Sequence, residues 1–143
     1  MNRFAFLLCI ALSWGKPAHA NKITDFYEIE NVSPPELLLQ RYGNSRGGQG
    51  TQTDGLDFMP DGRLVACFVG GEVFTLNPKT GKWKLFADGL HTPLGVVALN
   101  DHEVMVSQRP ELTLLKDSDG DGDADEYSVF SDDFGVSGNY HEF

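Results

Sequence analysis

The sequence predicts an all-β protein assembled from repeated four-stranded units. Glycine, proline and Asp-Gly pairs interrupt the middle of the chain at short intervals, and the segments between them alternate apolar and polar residues. We find no amphipathic helical period in this region. Residues 34–39, Pro-Pro-Glu-Leu-Leu-Leu, form the one stretch that favours a short helix, because proline fits the first helical turn.

A sequence repeat supports this fold class. Two parts of the chain align at an offset of about 40 residues, the repeat length of a four-stranded β-propeller blade. The aligned pairs are residues 55–66 with 95–106, 72–76 with 111–115, and 85–89 with 129–133. In each unit we expect four strands, with a turn at 60–62 or 100–102 and a hairpin at 70–71 or 109–110.

The repeat predicts propeller blades at about residues 55–92 and 93–136, with a third blade that begins near residue 137. Blades of this kind are stable only when neighbours stack on them. Two blades and the start of a third do not close a ring. We therefore expect the chain to be the N-terminal part of a longer propeller.

The run Asp117 to Asp125 predicts a calcium site. Like charges packed into one turn repel each other, and a hard dication with oxygen ligands relieves that repulsion. The spacing is that of a calcium loop, in which glycine at the sixth position, here Gly122, makes the sharp turn. Ser128 stands where a helix–loop–helix site has its bidentate Glu, so a hairpin loop between strands is expected instead. The predicted metal ligands are Asp117, Asp119, Asp121 and Asp125 through their carboxylates and Asp123 through its backbone carbonyl.

Two points qualify the calcium prediction. A solvated acidic hairpin without an ion is the alternative, since Asp and Gly favour turns for their own reasons. The loop also occupies the place that residues 77–81 take in the first unit, on a hairpin between strands. That position favours a structural ion over a catalytic one.

Residues 1–20 have the features of a secretory signal peptide. Arg3 provides the positive start, residues 4–14 the apolar segment, and Ala18-His19-Ala20 the small-residue cleavage site. We expect cleavage after Ala20 and export to the periplasm or the cell exterior. Membrane association would then need an uncleaved signal or a C-terminal region. Residues 21–50 would be an N-terminal extension, in which 26–32 form a candidate ring-closing strand.

The net charge and the cysteine content of the chain exclude one class of partner and an internal disulfide. The chain has 11 basic and 21 acidic residues and a formal net charge of −10. Nucleic acid is therefore an unsuitable partner, because its binding needs clustered Lys and Arg. After signal cleavage Cys67 would be the one remaining cysteine, which rules out an internal disulfide. Its apolar neighbours predict a buried thiol.

Four segments in this order resemble a known family: Gly55 to Leu64, Gly89 to Gly95, Asp117 to Asp125, and Gly138 to Phe143. The chain is similar to an exported bacterial family of membrane-bound dehydrogenases. The propeller of that family is similar to the one in the pyrroloquinoline-quinone-dependent soluble glucose and sorbosone dehydrogenases. The resemblance implies a six-bladed propeller, a calcium ion, pyrroloquinoline quinone in the central mouth, and a sugar or alcohol substrate.

The resemblance also implies a catalytic residue. His141 would be the general base that takes the alcohol proton while hydride passes to the quinone. The cofactor-binding residues are not identified. His91 is a candidate for the same mouth or a turn cap, and Arg109 is an anion contact or an exposed charge. The fragment alone is expected to be inactive. A non-catalytic, calcium-stabilised propeller that binds a glycan or a protein is the alternative, and a truncated product without activity is a third hypothesis.

Overall fold

The computed structural model describes residues 30–43 and 51–135. They form one short helix followed by eight strands, and the helix and both sheets belong to the same compact unit of the chain. In chain order the elements are α1 (Glu36–Tyr42), β1 (Thr53–Phe58), β2 (Leu64–Phe68), β3 (Val73–Asn77), β4 (Lys82–Ala87), β5 (Gly95–Ala98), β6 (Glu103–Ser107), β7 (Leu112–Lys116) and β8 (Glu126–Ser131).

The strands form two antiparallel four-stranded sheets. Their orders are β1-β2-β3-β4 and β5-β6-β7-β8, so within each sheet every strand pairs with its neighbours in sequence. The mostly β fold and the four strands in each unit are confirmed. The short helix predicted after the proline pair is also present, and it ends at Gly43.

Both sheets contain a β-bulge at the same position of the repeat. The register between β3 and β4 shifts between Val73 and Phe74, and the register between β7 and β8 shifts between Leu112 and Thr113. In each sheet the strand opposite carries one extra residue at this bulge, Phe86 in β4 and Phe130 in β8. These two phenylalanines are therefore structurally equivalent.

The main core lies between the two sheets. The first sheet contributes Val65, Val73 and Phe86, and the second sheet contributes Val104 and Leu115, all at most 1% exposed. Strand alternation places these side chains on facing surfaces.

The first strands of the two sheets approach most closely at two glycines. A Cβ atom added to Gly55 would lie 2.9 Å from the Cα of Gly95 and 2.9 Å from the backbone N of Val96. Both atoms belong to the backbone of the other sheet, so they cannot move aside as a flexible side chain would. Any larger residue at position 55 would push the sheets apart.

Polar contacts join the turns at one end of the two sheets. The Ala98 amide donates to Asp57 Oδ2 at 3.0 Å, and the Asp61 amide donates to Asp101 Oδ1 at 2.8 Å. Arg63 donates to the Asp101 carbonyl at 2.8 Å. Asp61 also shapes its own turn, because its Oδ1 accepts the Arg63 amide at 2.8 Å. Asp101 connects the two sheets instead.

Helix α1 covers the other face of the first sheet. Leu38 is fully buried there in a cluster with Ala66, Phe68 and Phe74. The rings of Phe68 and Phe74 pack edge to face with centroids 5.7 Å apart.

Two side chains of the helix hold a buried carboxylate. Glu72 is 0% exposed, and its Oε1 accepts hydrogen bonds from Arg41 and from the Tyr42 hydroxyl, both at 2.8 Å. Arg41 also pairs with Asp88 at 2.7 Å. Removing one partner from a buried charge pair is costly, so this pair anchors the helix to the sheet.

Several sequence predictions lie outside the described residues: the signal peptide at 1–20, residues 26–29 of the candidate strand at 26–32, the third blade from 137, and His141. The described part of that candidate, residues 30–32, is not in a strand. Within the described part of the chain, no helix has the length and apolar character needed to cross a membrane.

We expect the ion pair between Asp88 and Arg41 to stabilise the protein only above acidic pH. The hydrogen bond from Arg41 lowers the pKa of Asp88 in the folded state. Its contribution is thus present above the unfolded pKa of about 3.9 and is lost as the pH falls through the folded pKa. Because Asp88 is 41% exposed, Asp88→Asn should cost only about 0.2–1 kcal/mol at pH 7.

Urea unfolding of the protein and of Asp88→Asn at several pH values measures this difference. It should be constant between pH 5 and 7 and should disappear near pH 2. Asp132→Asn, at an exposed acid beyond β8, is the control. A difference that persists at pH 2 would contradict the prediction.

We also expect the Cys67 thiol to be unreactive in the folded protein. Burial, assisted by the nearby charge of Asp54, raises the pKa of Cys67 to about 11. In a Cys9→Ser background at pH 8, labelling with a thiol reagent should be roughly a hundredfold slower than in guanidinium, because the thiolate is the reactive form. Equal rates in the two conditions would show that the core opens readily.

Candidate metal centre

The acidic run forms the loop between β7 and β8. It begins at Asp117, directly after Lys116, and ends at Asp125, directly before Glu126. The equivalent loop of the first sheet, between Asn77 and Lys82, is shorter. The second sheet therefore carries an insertion at its outer hairpin.

Backbone amides turn the loop around Asp117. Gly120 donates its amide to Asp117 Oδ1 at 2.7 Å, and Gly122 donates to Asp117 Oδ2 at 3.0 Å. Both glycines have positive φ angles, 80° and 90°, which residues with a Cβ rarely adopt. The Asp-x-Asp-Gly-x-Gly pattern thus wraps the chain around one buried carboxylate.

Three of the five predicted ligands come together. Asp117, Asp119 and Asp125 each offer one carboxylate oxygen, and these oxygens lie within 4.8 Å of one another. The carboxylates of Asp121 and Asp123 are outside this group, and the backbone carbonyl predicted as the Asp123 ligand stays a prediction. The Asp121 carboxylate accepts the Asp123 amide at 2.8 Å, and the Asp123 carboxylate lies 3.2 Å from the ammonium group of Lys84.

The carboxylates of the group differ in environment. Asp117 is 4% exposed, whereas Asp119 and Asp125 face solvent. Burial acts to raise the pKa of Asp117, but hydrogen bonds from His102, Gly120 and Gly122 outweigh it and lower the pKa. The amide and hydroxyl of Ser118 lower the pKa of Asp125. Two of the three groups are therefore held in the anionic form that a cation requires.

The loop also contacts the first sheet. The Ala124 amide donates to the Phe86 carbonyl at 2.6 Å. Lys84 donates to the Asp121 carbonyl, and its side chain fills the space beside Gly122, where an added Cβ would lie 2.8 Å from Nζ. The loop consequently spans from the edge of its own sheet to the outer strand of the other sheet.

Sequence reasoning did not identify Lys84 or His102. His102 Nδ1 lies 3.2 Å from Asp117 Oδ2. Lys84 belongs to the first repeat and reaches the loop only because the sheets stack. No local pattern signals either contact.

The oxygen set fits a hard cation. Calcium–oxygen distances of about 2.3–2.6 Å place ligands on opposite sides of one ion roughly 5 Å apart. Oxygens within 4.8 Å of one another can therefore share an ion. No sulfur or imidazole nitrogen belongs to the group, which favours calcium or magnesium over transition metals.

The other candidate residues are distributed differently. His91 is exposed in the loop before β5, and its backbone carbonyl accepts the Arg109 amide at 2.9 Å. Nearby, the buried Gln108 donates to Thr113 Oγ1 at 2.7 Å. His91 and Arg109 thus border the hairpin between β6 and β7, whereas the acidic loop joins β7 to β8.

Comparison with known proteins gives one match. A family model described as a domain of unknown function (DUF7133) matches residues 78–143, slightly less than half of the chain. The matched region includes the whole second sheet and the acidic loop. Neither the curated proteins nor the solved structures compared with the chain contain a match.

We predict that Lys84→Met destabilises the metal-free protein. The substitution keeps the apolar stem of the side chain but removes the positive charge next to Asp123 and the Asp121 carbonyl. Since Lys84 is 48% exposed, the loss should be about 0.5–1 kcal/mol in urea unfolding with chelator. Lys82→Met is the matched control, two residues earlier on the same strand and also exposed. Equal effects of the two substitutions would contradict the prediction.

Proposed function

We propose that the chain is the calcium-stabilised part of an exported β-propeller protein, similar in architecture to the pyrroloquinoline-quinone-dependent soluble dehydrogenases. The observation that carries the proposal is the convergence of three carboxylates, one of them buried, in the hairpin between β7 and β8. Calcium fits this oxygen set, and calcium is abundant outside the cell.

The ion in this proposal is structural. Asp117 and Asp125 lie at the two ends of the loop, and Asp119 lies within it. Binding all three to one ion closes the loop into a single conformation. That conformation carries the Ala124 amide, which bonds to the Phe86 carbonyl of the first sheet. Calcium would thereby strengthen the contact between the sheets.

The propeller part of the proposal is supported by three features. Each sheet has four antiparallel strands in sequence order, both sheets carry the same bulge, and they pack face to face with β1 beside β5. Propeller blades share the first feature and stack in the same way. Because only two sheets are described, the blade number is part of the proposal.

The catalytic part of the proposal rests on the resemblance. When bound, pyrroloquinoline quinone would accept hydride from a sugar or alcohol carbon. His141 would take the hydroxyl proton as general base. It lies outside the described residues, and no described residue is assigned to the quinone.

A non-catalytic role is the second candidate, and one observation favours it. The acidic loop lies at the outer hairpin, separated from the inner strand β5 by two strands of its sheet. A calcium ion there would brace a scaffold. Such a scaffold could bind a glycan or a protein without performing chemistry.

We predict that calcium raises the thermal unfolding midpoint through Asp117, Asp119 and Asp125. At a calcium concentration of 100 times Kd the gain is about 2.7 kcal/mol, or several degrees. Asp119→Asn and Asp125→Asn should each reduce this gain strongly. Both residues are exposed, so these variants should fold without calcium.

Asp133→Asn, at an exposed acid outside the loop, is the matched control and should keep the full gain. Magnesium at the same concentration tests selectivity and should give a smaller shift. A midpoint that does not change with calcium, or that changes equally in Asp119→Asn, would overturn the metal assignment.

The catalytic proposal predicts that the exported form of the protein retains pyrroloquinoline quinone in the presence of calcium. Absorbance after gel filtration measures retention, and dye reduction across a panel of sugars and alcohols measures turnover. His141→Ala should abolish turnover while retaining the quinone. Retention of no quinone together with no turnover would favour the non-catalytic alternative and leave the calcium assignment intact.

A further inference from the structure

The second sheet has one apolar face that no described residue covers, which we call the open face. It points away from the first sheet and consists of Val97, Met105, Leu112, Leu114 and Phe130. The ladder pairs Val97 with Met105 and Met105 with Leu114, so these three side chains share one side. Val97 is 53% exposed and Phe130 is 66% exposed.

The equivalent apolar residues of the first sheet are buried. Phe86 occupies the same bulge position as Phe130, yet Phe86 is 1% exposed because the second sheet packs on it. Val65 and Val73 align with Met105 and Leu112 in the repeat, and both valines are 0% exposed. These three pairs of matched positions are therefore apolar in both sheets and differ in whether a following sheet covers them. The positions that match Val97 and Leu114 are the polar residues Asp57 and Thr75.

Gly95 supports the same interpretation. The equivalent Gly55 must be glycine because the strand of the next sheet touches it. A Cβ added to Gly95 would meet only the Cβ of Ser107, at 3.7 Å, and its φ angle is not positive. Within the described residues, no contact and no turn requires glycine at this position. It leaves room for one more closely approaching strand.

We propose that the open face receives a third four-stranded sheet of the same repeat, whose first strand lies against Gly95 as β5 lies against Gly55. The occupant presents a flat face of Val and Leu side chains, like Val96, Val104 and Leu115 of the second sheet. This inference rests on the propeller part of the proposed function, but it depends on neither calcium nor catalysis.

A second copy of the chain fits the open face less well. The complementary surface of the second sheet is buried against the first sheet. The outer face of the first sheet is occupied by Leu38 of α1. In the described part of a second copy, neither surface of the required kind is available. A further repeat joined to the chain has no such obstacle.

The test appends an additional copy of residues 93–135 after Phe143 of the full chain. In chelator, stacking on the open face should raise the thermal unfolding midpoint by about 5 °C or more, because repeat proteins gain stability from each new interface. Binding of a hydrophobic dye per molecule should stay near that of the original chain, because the copy covers the open face and presents an equivalent face of its own, whereas a copy that does not stack should raise it. A second version, with the copy attached directly after Gly135, provides a shorter connection.

Substitutions made in both the original and the extended protein show whether the rise in the unfolding midpoint comes from the open face. Phe130→Ser and Gly95→Val should each remove the gain in the extended protein while changing the original chain little. Val129→Ser is the matched control for Phe130, because Val129 is 56% exposed on the same strand but pairs with Thr113 on the opposite face. It should keep the gain.

Two results would overturn the proposal. One is a midpoint that rises in neither version, or that rises equally in the Gly95→Val variant. The other is a dimer of the original chain in sedimentation that Phe130→Ser dissociates, because the occupant would then be a second copy. Repeating the measurement in calcium keeps the two proposals distinct, since loss of the calcium effect alone changes the metal assignment and leaves the stacking gain unaffected.

Discussion

The structure depends on the close contact between two sheets at Gly55 and Gly95. Once these backbones touch, the apolar faces on either side meet, and Phe86 of the first sheet becomes buried against the second. The position of the acidic loop follows from this contact. The loop reaches Lys84 and the Phe86 carbonyl only because β4 has been brought beside it. The contacts of the candidate metal centre therefore depend on the stacking of the two sheets.

The electrostatics of the loop are consistent with that order. A buried carboxylate needs compensation, and Asp117 obtains it from the backbone amides of its own turn and from His102. Lys84 supplies a tethered positive charge from the other sheet. These contacts allow the loop to fold, while the exposed carboxylates Asp119 and Asp125 remain near Asp117. Their mutual repulsion is the part of the balance that a dication would remove.

Most of the fold could be predicted from the sequence because its determinants are local. Alternation, turn residues and the repeat identify both sheets, and the proline pair marks α1. The anchoring of α1 could not be predicted in this way, because Arg41 and Glu72 are 31 residues apart. The same limit applies to the site. Loop spacing places Asp117, Asp119 and Asp125 together, but it also suggested the Asp121 carboxylate, which accepts the Asp123 amide and lies outside the group.

The two faces of the repeat explain why the apolar side chains of Val97 and Phe130 are exposed. Each sheet needs cover on both sides, and the first sheet obtains it from α1 and from the second sheet. The second sheet obtains cover on one side only, which leaves Phe130 exposed at the position where Phe86 is buried. The helix is specific to the first sheet, since Arg41 forms ion pairs with Glu72 and Asp88. In our proposal a third sheet covers the second by stacking, the same interaction that holds the first two sheets together.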